Sequence, residues 1–81
     1  MKAIVTVGLK PGVLDVQGKA VASALKELGF GGVHDARVGK RIEIELDASL
    51  DAATAEAQVK EMCEKLLANT VIESYRVEIA R

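Results

Sequence analysis

Lys10-Pro11-Gly12-Val13-Leu14-Asp15-Val16-Gln17-Gly18 joins a run with strand periodicity to a run with helix periodicity. Before it, Ala3, Val5, Val7 and Leu9 alternate with Lys2, Ile4, Thr6 and Gly8, the two-residue period of a β-strand. Pro11-Gly12 ends that strand. After it, Asp15 is placed to accept a hydrogen bond at a helix N-terminus. Ala20, Val21, Ala24, Leu25 and Leu28 follow at helical spacing, and Gly29 supplies a stop. The spacing therefore predicts a helix over 16–28. A strand-to-helix loop in an open α/β sheet is a usual place to meet a partner or ligand. This loop carries no nucleophile, metal cluster or phosphate-cradling pattern, so the chain reads as one that works by binding.

Downstream, Phe30-Gly31-Gly32 leads into a predicted hairpin. Ile42, Ile44 and Leu46 alternate with Arg41, Glu43 and Glu45 as a half-buried strand, and Val33–Val38 is the less regular arm before it. A loop at Gly39-Lys40-Arg41 pairs Val38 with Ile42 and Ala36 with Ile44, which groups the apolar side chains. Ser49 and Asp51 are cap candidates for a second helix. Its apolar stripe is Ala55, Val59, Met62, Cys63, Leu66 and Leu67, with Asn69 as a left-handed stop. Tyr75, Val77 and Ile79 alternate with Ser74, Arg76 and Glu78 as a last strand. The order β-α-β-β-α-β predicts an α+β, ferredoxin-like sandwich: a four-stranded antiparallel sheet with both helices on one face. The other face is then left for solvent or another subunit.

The chain has 81 residues, which is read as a single domain over 1–81. A domain this small buries only about 60% of its unfolded surface and usually needs disulfides, metal or oligomerisation. One cysteine and one histidine remove the first two remedies, and 49% hydrophobic content favours self-association. Eleven basic against 12 acidic residues give a net charge of −1, with no excess to neutralise phosphates, so nucleic acid is excluded as a partner. Phe30 and Tyr75, the two aromatic residues, make no stacking platform. No apolar stretch approaches the about 18 residues of a membrane span. Met1-Lys2-Ala3-Ile4 reads as the start of a strand rather than a secretion signal. With an unpaired cysteine, this predicts a cytoplasmic protein.

The chemistry-bearing residues each have a plain structural reading. His34 would oppose Leu46 in the predicted hairpin and has no second ligand or nucleophile beside it, so it reads as packing. Cys63 lies in an apolar stripe without a cationic neighbour and reads as a small buried hydrophobe. Glu43 and Glu45 share a strand face, which suits an acid–base pair but equally a solvated outer surface. Lys40-Arg41 at a hairpin tip can meet an anion or simply water.

Three motif families can be tested on this fold. Val16-Gln17-Gly18 resembles the acylphosphatase phosphate loop, but Lys19-Ala20-Val21-Ala22 lacks the arginine that should follow. A heavy-metal-binding module needs Cys-x-x-Cys in the first loop, and none is there. Pro11-Gly12-Val13-Leu14 resembles the first loop of ACT-type amino-acid sensors, over a short stretch.

One resemblance covers nearly the whole chain. Ile4-Val5-Thr6-Val7, the loop Lys10-Pro11-Gly12-Val13-Leu14-Asp15 with Gln17-Gly18, and Arg37-Val38-Gly39-Lys40 carry its first half. Leu66-Leu67-Ala68-Asn69 and Val71-Ile72-Glu73-Ser74-Tyr75 carry its end. On these motifs the chain resembles the PurS family, small subunits of the three-component phosphoribosylformylglycinamidine (FGAM) synthase. Val16 and Thr70 stand where that family's pattern often has proline, a change that removes no chemistry.

The resemblance implies a non-catalytic assembly subunit of a purine-biosynthetic ligase complex. That complex converts formylglycinamide ribonucleotide, glutamine and ATP to formylglycinamidine ribonucleotide, glutamate, ADP and phosphate. A separate glutaminase subunit releases ammonia, and a large synthetase subunit binds ATP and Mg. The small subunit would dock both, as a dimer or dimer of dimers, and assist ammonia transfer, with no catalytic residue, cofactor or metal of its own. The expected partner-binding residues are Lys10, Pro11, Gly12, Asp15, Gln17, Gly18, Arg37, Gly39 and Lys40. The alternative reading is an ACT-type amino-acid sensor, and a free-standing small enzyme is the third.

Overall fold

The computed structural model describes residues 1–80. Its elements are β1 (Lys2–Leu9), α1 (Val16–Glu27), β2 (Lys40–Glu45), α2 (Ala52–Met62), a π-helical turn (Cys63–Leu67) and β3 (Glu73–Ala80). The strands form an antiparallel sheet in the order β2-β1-β3. Ala3 pairs with Ile44 and Ile79, and Val5 with Ile42 and Val77. This register puts every other residue of all three strands on one apolar face. Ala3, Val5 and Val7 are fully buried there, beneath Val59 and Cys63 of the second helical segment. The opposite face is charged, with Lys2–Glu43 at 3.8 Å, Arg41–Glu43 at 2.6 Å and Arg76–Glu78 at 3.6 Å. That face is built for water, so the bare side of the sheet is not a source of apolar adhesion.

The α+β class stands, but the four-stranded sheet does not: the described residues form three strands, in a β-α-β-α-β order. Residues 33–39 have no regular secondary structure and belong to no sheet. Val38 does not face Ile42, which pairs with Val5 instead, and His34 is exposed rather than opposite Leu46. Lys40 and Arg41 begin β2 rather than form a hairpin tip. The cause lies in the donors of the would-be strand. Val38 N–H is taken by the Asp15 carboxylate and the Arg37 guanidinium by the carbonyls of Leu9 and Lys10. Gly39 also passes so close to β1 that a Cβ would lie 2.5 Å from the Val7 carbonyl oxygen. The chain is held against the end of β1 and cannot turn back along β2.

Nor do both helices cover the sheet. Among the described residues it is α2 that lies over β1 and β3, while α1 extends away as an arm. The radius of gyration is 16.1 Å, against about 12 Å for a compact chain of this length. The longest dimension is 50 Å and the shortest 14 Å. With α1 absent from the sheet, Ile42, Ile44 and Leu46 are only half-buried.

Local signals are otherwise met. Asp15 caps α1 through Gly18 N–H, Gly29 follows the helix at φ 101°, and Asp51 caps α2 through Thr54 N–H. At the end of α2 the backbone widens, with Ala68 N–H donating to the Cys63 carbonyl. An i→i+5 turn uses more residues per revolution than an α-helix. Leu66 is thereby rotated out of the predicted stripe to 82% exposure, while Leu67 stays against the core. Asn69 is not left-handed either: no non-glycine residue described has positive φ, and the helix ends at Ala68 in an extended conformation.

Cys63 is completely buried, and burial first, then the adjacent Glu64, pushes its thiol up from the ordinary value. Native protein is therefore expected to resist thiol reagents that label the denatured chain fully. Rapid stoichiometric labelling of the native protein would contradict this placement.

Candidate functional site at the elbow of the arm

The loop after β1 turns sharply before α1 begins. Lys10 N–H donates to the Ile72 carbonyl at 2.8 Å, and Lys10 Nζ to the Thr70 carbonyl at 2.6 Å. Both contacts tie the loop to the segment before β3. Pro11 and Gly12 form the exposed turn, with Gly12 at φ 88° and Val13 N–H returned to the Lys10 carbonyl. The positive φ is a conformation that glycine adopts without steric cost.

Asp15 is the pivot. The residue is buried, at 6% exposure. One carboxylate oxygen accepts Gly18 N–H at 2.7 Å, and the other accepts Val38 N–H at 2.8 Å. These backbone donors, Val38 first and Gly18 second, with Arg37 nearby, hold its carboxyl below the ordinary carboxylate range. Asp15 is thus ionised throughout the neutral range. Gly18 is buried between Asp15 and the carbonyl of Ala36, where no Cβ fits. Arg37 Nη2 donates to the Leu9 carbonyl at 3.0 Å and the Lys10 carbonyl at 3.2 Å.

The nine residues singled out in the sequence therefore meet at one elbow, but in different roles. Lys10, Asp15, Gly18, Arg37 and Gly39 are spent on the chain itself. Gln17 and Lys40 face an open groove of about 390 Å³, bounded also by Gly8, Leu14, Val16 and Glu73. Leu14 and Val16 were not among the expected residues, yet they are 67% and 70% exposed. A signal for Leu14 was available. An apolar residue just before a helix cap usually packs on the fourth helical position, and that position here is Lys19. Leu14 has no such partner in its own helix. The Glu73 carboxylate accepts Asn69 N–H at 2.7 Å. Nothing in the groove pairs a nucleophile with a base. Glu43 and Glu45 are both exposed on the solvated sheet face, where Arg41 and Lys2 engage Glu43.

The profile of the PurS family, described as phosphoribosylformylglycinamidine (FGAM) synthase, matches residues 2–81. The chain belongs to the PurS family. A Synechocystis FGAM synthase subunit PurS is 55% identical over 73 residues, covering 90% of this chain and 72% of that one. The Methanocaldococcus jannaschii PurS structure, described as one subunit of formylglycinamide ribonucleotide amidotransferase in the purine biosynthetic pathway, superposes with a TM-score of 0.90. Its identity is 38%, over 99% of this chain and 95% of that one. A chain in the Thermotoga maritima PurLQS structure superposes with a TM-score of 0.85 at 34% identity, over 95% and 93% of the two chains. PurS membership extends over both the sheet and the arm, so the short first-loop likeness to an amino-acid sensor gives way to it. This PurS chain contains no helix, among the described residues, long and apolar enough to cross a membrane.

Proposed function

We propose that this PurS chain is the non-catalytic assembly subunit of a cytoplasmic FGAM synthase, docking a glutaminase and a synthetase subunit and assisting the passage of ammonia between them. ATP and Mg belong to the synthetase in this reading. The observation that carries it is the shape: a 50 Å chain whose arm keeps Leu14, Val16, Val21, Leu28 and Phe30 exposed and whose groove lacks a nucleophile–base pair. Apolar surface of this kind, unsupported by chemistry, is what an interaction subunit presents. The Thermotoga relative, seen in a PurLQS structure, supports the same reading.

Reconstitution tests it. Omitting this chain from a mixture with the glutaminase and synthetase should lower glutamine-dependent FGAM formation by at least about tenfold, or about 1.4 kcal/mol in the barrier. Ammonia-dependent formation should fall much less. Equal glutamine-dependent rates with and without the chain, or glutamine hydrolysis by the purified chain alone, would overturn the proposal.

The same reading makes the chain a dimer or dimer of dimers. A half-covered apolar strip at Ile42, Ile44 and Leu46 and an arm without a floor are two faces that a second copy can bury. Light scattering at micromolar concentration should return a multiple of the 8.6 kDa chain mass. A monomer mass would refute it.

A further inference from the structure

The arm is held to the body by very few groups, and they centre on Asp15 and Arg37. Among the described residues no strand packs extensively against α1, so the sheet does little to set the arm's direction. Asp15 bridges the start of α1 to the returning chain through Gly18 N–H and Val38 N–H. Arg37 fastens that returning chain to the end of β1 through the Leu9 and Lys10 carbonyls. These contacts join segments 23 to 28 residues apart in sequence. A helix cap needs only the Gly18 bond; the Val38 bond does something else.

We propose that Asp15 and Arg37 are positioning residues, forming a latch that sets the angle of the α1 arm against the sheet and so presents the arm to a partner subunit in one orientation. The proposal rests on the assembly reading above. With the latch closed, a partner meets a pre-set surface. With it open, only a fraction of chains hold the competent angle, and the apparent dissociation constant rises in inverse proportion to that fraction.

Asp15→Asn separates the two jobs of the carboxylate. Asparagine caps a helix about as well as aspartate, so Gly18 N–H keeps its acceptor. Its amide NH2 cannot accept Val38 N–H, so the bridge opens. In the full chain, in its native oligomeric state, hydrogen exchange at the Val38 amide should accelerate by roughly tenfold, the change for losing one hydrogen bond of typical strength. Gly18 and the interior amides of α1 should keep their protection.

The second reading is assembly with the glutaminase and synthetase. The half-saturating concentration of the D15N chain in glutamine-dependent FGAM formation should rise by a similar factor, and excess chain should restore the rate. An ordinary loss of folded protein would instead expose α1 throughout. Arg37→Ala touches no helical residue and serves if D15N frays α1; it should raise the half-saturating concentration in the same way. Asp47→Asn, at the Ser49 turn beyond β2, is the control.

Unchanged Val38 exchange in D15N overturns the latch. Faster Val38 exchange with unaltered half-saturation overturns its link to assembly. If the parent chain itself stimulates nothing, the assembly reading fails, and the Val38 and α1 exchange rates still decide whether the latch exists.

Discussion

Val59→Asp is expected to abolish folding, whereas Leu66→Asp is expected to leave stability within about 0.5 kcal/mol of the parent. The two positions lie on the same predicted helical stripe, seven residues apart. Val59 is 0% exposed and packs with Ala3, Val5 and Val7 of β1. A carboxylate placed there has no partner, and burying an unpaired charge costs several kcal/mol. Small domains have stabilities of only about 5–15 kcal/mol, with the shortest near the lower end. Leu66, turned outward by the π-helical turn, is 82% exposed, so its replacement removes little packing. Urea denaturation followed by circular dichroism measures both. A Leu66→Asp chain as damaged as Val59→Asp would mean that the helix continues as a regular α-helix to Leu67. A loss at Leu66 that vanishes at high protein concentration would assign it to a contact between copies.

Gly18→Ala should destabilise the protein by about 1–3 kcal/mol, the usual range for overpacking. Its sign is the informative part. In an exposed helix, replacing glycine by alanine is favourable by about 1 kcal/mol. Here the added Cβ runs into the main-chain oxygen of Ala36 and lies 2.9 Å from the Asp15 carboxylate. A backbone atom cannot rotate aside, so the arm must separate from the 33–39 segment or tilt. Lys19→Ala, one residue further along α1 and exposed, should change stability by no more than about 0.5 kcal/mol. Thermal denaturation compares the two. A Gly18→Ala chain as stable as the parent would show that α1 and residues 33–39 are not in contact.

Much of the candidate site was visible in the residues, though not its logic. Lys10, Asp15, Gly18, Arg37 and Gly39 stood out as two motifs, and the structure brings both to one elbow. Their expected role is to meet partners, which reconstitution tests. The geometry shows what else they do. Asp15 accepts from a residue 23 positions away, and Arg37 donates to carbonyls 27 and 28 positions away. No local pattern marks a buried carboxylate with a distant acceptor role. Of the groove residues, Val16 looks like core in the sequence, as an apolar side chain beside a cap does, and Leu14 is marked only by Lys19 standing where its packing partner would be.

The sequence by itself determined the elements whose forces act over a few residues. Alternation set β1, β2 and β3; Asp15 and Asp51 set the starts of α1 and α2; Gly29 set the end of α1. Those signals arise from side-chain period and from donors within one helical turn. Only the tertiary structure decided that 33–39 is not a strand and that α1 leaves the sheet. Both outcomes turn on competition for long-range donors and acceptors. An edge-strand partner for β2 was available in principle, but Val38 N–H and Arg37 are better satisfied at Asp15 and the end of β1. Once that segment is fastened there, α1 goes with it, and the apolar surface that a closed sandwich would hide stays open.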